Sequence, residues 1–117
     1  MKSRSHYLRI TALVLLGFGV FLFPRSSSAT DNTVAPVAIK IDNFSFSPQT
    51  ITIPAGTQVT WTNQDDIPHT VVSDDKATFK SRALDTDEKF TFTFTKPGTY
   101  GYFCSIHPKM TAKIIVQ

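Results

Sequence analysis

Phe90-Thr91-Phe92-Thr93-Phe94-Thr95-Lys96-Pro97-Gly98-Thr99-Tyr100-Gly101-Tyr102-Phe103-Cys104-Ser105-Ile106-His107-Pro108-Lys109-Met110 carries both the fold and the chemistry of this chain. Phe90, Phe92 and Phe94 alternate with threonines, the period of a strand with one face buried. Lys96-Pro97-Gly98 is a turn signal. Thr99 to Cys104 reads as the next strand and Ala112 to Gln117 as the last. The residues between them form a hairpin connection at one end of the fold. Upstream the same grammar repeats. Val37, Ile39 and Ile41 alternate with Ala38 and Lys40, and Phe44 and Phe46 flank Ser45 before a turn at Ser47-Pro48. Ile51 and Ile53 precede the turn Pro54-Ala55-Gly56, and Val59 and Trp61 follow it. Residues 63–68 are polar and loop-like, and 69–73 are β-branched and short. Asp74-Asp75-Lys76 is a turn. Residues 77–85 read as an irregular excursion around Phe79 and Leu84, and Asp85-Thr86-Asp87-Glu88 as a charged connection. Beyond the first 29 residues, no window of ten or more shows a helical period. Seven or eight short strands between Gly/Pro turns predict an all-β antiparallel sandwich or barrel. Its expected core is Ile39, Ile41, Ile51, Ile53, Val59, Trp61, Phe90, Phe92, Phe94, Tyr100, Tyr102, Ile114 and Val116.

The 117 residues suit one domain, but residues 1–29 read as a signal peptide. Lys2, Arg4 and Arg9 make a basic start. Ile10 to Phe23 is uncharged and apolar, and Ser27 and Ala29 are small residues at the positions a signal peptidase reads, so cleavage is expected after Ala29. The apolar run is shorter than the roughly 20 residues a spanning helix needs; an uncleaved N-terminal anchor is the alternative. Residues 30–36 read as a flexible segment and 37–117 as the domain. Export predicts a periplasmic or otherwise extracytoplasmic location. Of the 12 basic residues, Lys2, Arg4, Arg9 and Arg25 lie in the leader, which has no acid; 12 less 4 leaves 8 against 9 acidic, so the +3 net charge becomes −1. No basic stripe remains to follow phosphates, which argues against nucleic acid.

The chain has one cysteine. A lone cysteine is most often a small buried apolar residue. In an exported chain, however, it cannot pair internally, which leaves an intermolecular bridge, a reactive thiol or a ligand. Cys104, His107 and Met110 stand three residues apart, and thiolate, imidazole and thioether are donors that suit copper. A second imidazole must come from elsewhere. His6 is in the leader, so His69 is the candidate, and the expected site is one copper ion on His69, Cys104, His107 and Met110. Pro68 and Pro108 stiffen the backbone beside each imidazole.

Trp61-Thr62-Asn63, Pro68-His69-Thr70-Val71 and Pro97-Gly98-Thr99-Tyr100-x-Tyr102-Phe103-Cys104-x-x-His107-x-x-Met110 resemble the cupredoxins, the type 1 blue copper proteins. With two residues between the last His and the Met, the ligand loop is similar in length to that of amicyanins and shorter than in plastocyanins and pseudoazurins. The resemblance implies an eight-stranded Greek-key β-sandwich that shuttles single electrons. His69, Cys104 and His107 would be strong ligands and Met110 a weak axial one. His107 would lie where the site meets transient redox partners of cytochrome or dehydrogenase/oxidase type, with the protein a monomer. Many cupredoxins have Asn after the first His. Thr70 stands here, so the contact bracing the cysteine loop is expected from a hydroxyl or from backbone. Ile67, Ile106, Pro108 and Met110 are expected to form an apolar rim. Asp65, Asp66, Asp74, Asp75, Asp85, Asp87 and Glu88 are either a docking surface or solvated loops. A copper carrier or storage protein needs the same ligands. A copper enzyme needs more histidines than the two that remain, and structural zinc suits a Met ligand poorly.

Overall fold

The computed structural model describes residues 17–29 and 33–117; most of the expected leader and part of the flexible segment lie outside them. Residues 17–29 have no helix or strand. Among the described residues no helix is long and apolar enough to cross a membrane. The rest folds into eight strands: β1 Val37–Asp42, β2 Ser45–Ser47, β3 Thr50–Ile53, β4 Thr57–Asn63, β5 Val72–Ser73, β6 Lys89–Phe94, β7 Gly98–Phe103 and β8 Thr111–Val116. One four-stranded sheet runs β2-β1-β4-β6 and the other β3-β8-β7-β5.

The sheets are mixed rather than antiparallel. β1 runs parallel to β4, with Ile39 opposite Trp61, and β3 runs parallel to β8, with Ile51 opposite Ile114. Alternation of side chains assigns a residue to a face; it does not choose the neighbouring strand or its direction. From β2 through β7 each successive strand crosses to the other sheet, so the partner is often distant in sequence.

Trp61 is fully buried at the centre of the core, with Tyr102 of the opposite sheet at 5.6 Å between ring centroids and Phe90 at 5.6 Å along its own sheet. Of the expected core, Ile51, Phe90, Phe92 and Tyr100 are only partly buried at its margin. Their places are taken by Phe46, Val71, Phe79 and Leu84, which are buried. Phe79 and Leu84 come from the irregular excursion, and that segment is more ordered than its sequence suggests. His69 bridges Leu84 and Val72 bridges Lys80. Ser81 donates its N–H to the Val71 carbonyl at 2.8 Å and accepts the Val71 N–H on its hydroxyl at 2.8 Å. Residues 80–84 thus act as a discontinuous edge strand along 69–72. Gly56 has φ of +93°, in the region that favours glycine, and closes the turn before β4.

Candidate metal centre

Cys104 follows the last residue of β7, and Met110 precedes the first residue of β8. The hairpin between them is cinched by the Cys104 N–H donating to the Met110 carbonyl at 3.0 Å. Inside it, the Met110 N–H donates to the His107 carbonyl at 2.9 Å. Two short backbone bonds therefore fix all three potential donors of this loop to one strand end. His69 arrives from the other direction. β5 pairs with β7, Val72 opposite Phe103, which carries residues 69–71 alongside Cys104. The His69 backbone is clamped on both sides by Leu84: His69 N–H to Leu84 carbonyl at 3.1 Å, and Leu84 N–H to His69 carbonyl at 2.7 Å.

The Cys104 Sγ lies 3.7 Å from Nδ1 of His69 and 3.7 Å from Nδ1 of His107. Donor atoms of the three residues all fall within 4.8 Å of one another. His69 and Cys104 are fully buried, Met110 is 6% exposed, and His107 is half-buried. The site is therefore closed to water except along one edge of His107.

Thr70 braces the cysteine loop in the two ways expected. Its N–H donates to Cys104 Sγ at 3.4 Å. Its hydroxyl accepts the Ser105 N–H at 2.7 Å and shares a hydrogen bond with the Ser105 hydroxyl, also 2.7 Å. A buried thiol surrounded by apolar groups is normally pushed up. Here burial does raise the Cys104 pKa, but the Thr70 N–H and the two imidazoles outweigh it and bring it from 9.0 down to about 6. The copper-free protein is thus expected to hold a thiolate at neutral pH. Because the folded value is depressed, this group's stabilisation is complete above the unfolded value near 9 and is lost as pH falls through about 6. Ultraviolet thiolate absorbance of the copper-free protein should titrate near pH 6, and a midpoint near 9 would contradict this.

Two residues that the sequence reading put elsewhere belong to this site. Asp65, read as part of an acidic run, turns inward; its Oδ2 lies 2.7 Å from His69 Nε2. Partial burial pushes its carboxyl up, but the Phe44 and Asn43 N–H groups and His69 together hold it below the usual carboxylate range. Phe44, read as a strand residue, lies outside β2 with its ring edge-on to both imidazoles: 5.7 Å from His69 and 5.1 Å from His107. It is 52% exposed. Conversely, Met110 is buried and not part of an exposed rim, whereas Phe44, Ile106 and Pro108 are exposed, the Phe44 ring lying 5.1 Å from that of His107. The other acids do not form one free surface. Asp75 is taken up by its own turn, accepting from the Ser73 hydroxyl and the N–H groups of Ala77 and Thr78. Glu88 pairs with Arg82 at 2.7 Å.

A family model described as a cupredoxin-like domain matches residues 12–116. This chain belongs to the cupredoxin-like family. The cupredoxin is similar to an amicyanin of Paracoccus versutus, 32% identical over 96 residues that cover 77% of this chain and 71% of the relative. It is 42% identical to a chloroplastic plastocyanin of Tetradesmus obliquus over 84 residues, 62% of this chain and 58% of that one. Among solved structures it resembles a Cu-containing nitrite reductase from Thermus scotoductus with a TM-score of 0.66 and 36% identity. That match covers 71% of this chain and only 22% of the reductase chain. One copper ion is the cofactor that goes with this family and with a donor set of two imidazoles, a thiolate and a nearby thioether.

Proposed function

We propose that this cupredoxin is an exported carrier of single electrons, with His69, Cys104, His107 and Met110 as the ligands of its copper. The supporting observation is the asymmetry of the site. Three donors converge in a closed pocket, and only His107 reaches its edge. Bound copper supplies a one-electron couple. The residues do the rest. Cys104 is held by its N–H bond to the Met110 carbonyl and His69 by its two backbone bonds to Leu84, which limits how far the cage relaxes when the charge changes by one. Phe44 beside the His107 ring, with Ile106 and Pro108 on either side of it in the chain, offers exposed apolar surface of the kind that marks transient docking. A redox partner seated there would meet the imidazole edge directly. The two histidines outside the leader both serve this site, so no further imidazoles remain for a separate catalytic copper. On this reading residues 1–29 are a signal peptide and 37–117 the working domain.

Copper delivery would use the same ligands but would require their release. The test is a competition: electron exchange with a small cytochrome is timed against copper transfer to a chelator. The carrier reading expects exchange to finish well before measurable copper is lost. Loss of copper on the timescale of electron exchange would support delivery instead.

A further inference from the structure

His69 faces the cysteine sulfur with Nδ1, so Nε2 is the nitrogen turned away from the site. Its partner there is the carboxylate of Asp65 at 2.7 Å. An ionised carboxylate can only accept, so the Nε2 proton is retained and the Nδ1 lone pair is left to face the site. Neither group is free to move away. The His69 side chain is fully buried and that of Asp65 is 10% exposed. The Asp65 N–H donates to the Asn63 side-chain oxygen at 3.0 Å, and its carbonyl accepts the Thr86 hydroxyl at 2.6 Å.

The same carboxylate holds the turn between β1 and β2. Oδ1 accepts the Asn43 N–H at 2.6 Å, and Oδ2 accepts the Phe44 N–H at 3.0 Å. Asn43 and Phe44 have φ of +50° and +57°. Two successive non-glycine residues in the left-handed region cost of order 1–2 kcal/mol each, so something must hold them there. The pair of N–H bonds to Asp65 does so, and the resulting turn lays the Phe44 ring against both imidazoles.

We propose that Asp65 is a positioning residue of the copper centre: it fixes the tautomer of His69, lowers the reduction potential and, through the 43–44 turn, places Phe44 against His69 and His107. The inference rests on the copper reading. A negative group one imidazole from the site favours the more positively charged oxidised state, and its hydrogen bond makes His69 a stronger donor. Removing an outer partner of this kind costs about tenfold or more in metal affinity. A loss of about tenfold falling on the oxidised state raises a one-electron potential by about 59 mV.

The test is Asp65→Asn in the full chain, read by redox titration. The expected result is a potential raised by about 59 mV, with the Asp65→Glu protein remaining closer to the parent. Nitrogen NMR of the copper-free parent gives a readout that needs no variant. It should show His69 protonated at Nε2 and bare at Nδ1. An unmoved potential in an Asp65→Asn protein that keeps its thiolate-to-copper band overturns this inference alone. So does a parent His69 protonated at Nδ1 and bare at Nε2. A parent with no such band overturns the copper reading and this inference with it.

Discussion

Cys104→Ser will abolish the intense visible absorption of the copper-loaded protein and weaken copper binding by more than about 100-fold, beyond the usual loss of an outer-shell partner. The reason is chemical rather than structural. The thiol is the one donor whose ordinary proton is already largely displaced by its surroundings, to a pKa of about 6. A serine hydroxyl at the same point stays protonated and is a harder donor. The hairpin does not depend on the sulfur, because its closing bond runs from the residue 104 N–H to the Met110 carbonyl. Far-ultraviolet circular dichroism should therefore match the parent while the band disappears. A variant that kept its colour would show that the sulfur is not a ligand.

Trp61→Ala will destabilise the domain by about 3–5 kcal/mol, the usual cost of emptying a large aromatic site. Stabilities of small domains are about 5–15 kcal/mol in total. Trp61 is fully buried and lies within 6.4 Å, centroid to centroid, of Phe79, Phe90, Phe94 and Tyr102. Those rings come from both sheets and from the excursion that clamps His69, so no single neighbour can swing in to fill the space. It is the chain's only tryptophan, so unfolding has to be followed by circular dichroism in denaturant rather than by indole fluorescence. A loss below about 1 kcal/mol would mean that the core closes around the gap, contrary to close packing of this ring cluster.

Much of the proposed centre was legible because three of its four side chains are local. Cys104, His107 and Met110 occupy one hairpin, where spacing alone makes them neighbours. His69 was found by elimination, from a chain with three histidines and one of them in the leader. The strand set was legible for the same local reason, since alternation survives in any sheet. What could not be read was pairing. β1 with β4 and β3 with β8 are parallel, and nothing in Val37–Asp42 or Thr50–Ile53 distinguishes a parallel neighbour from an antiparallel one. Residues 80–84 lack alternation because their bridges to 69–72 are discontinuous, so they read as irregular although they fix the His69 backbone.

Asp65 and Phe44 were hidden differently. In an acid-rich loop, charge pattern cannot tell which carboxylate turns inward; that depends on a turn more than 20 residues away in sequence. The four-residue spacing from Asp65 to His69 is the only local hint, and outside a helix it carries little weight. By sequence, Phe44 continues the alternation of Phe46. Two left-handed residues break that register and send its ring to the site instead. Of Met110's two expected places, beside the other donors and in the exposed rim, burial rules out only the second. A side chain in an exposed-looking loop is easily read as surface, whereas the backbone bonds of Met110 to Cys104 and His107 draw it inward.

The central statement is that one copper ion is held jointly by His69, Cys104, His107 and Met110. Titrating the copper-free protein with Cu(II), while recording visible absorption and the paramagnetic resonance spectrum together, tests it most directly. The expected result is a thiolate-to-copper band that grows linearly and stops at one equivalent, with a copper signal of narrow hyperfine splitting. A band that never appears, or a signal typical of copper held by oxygen and nitrogen alone, would contradict it.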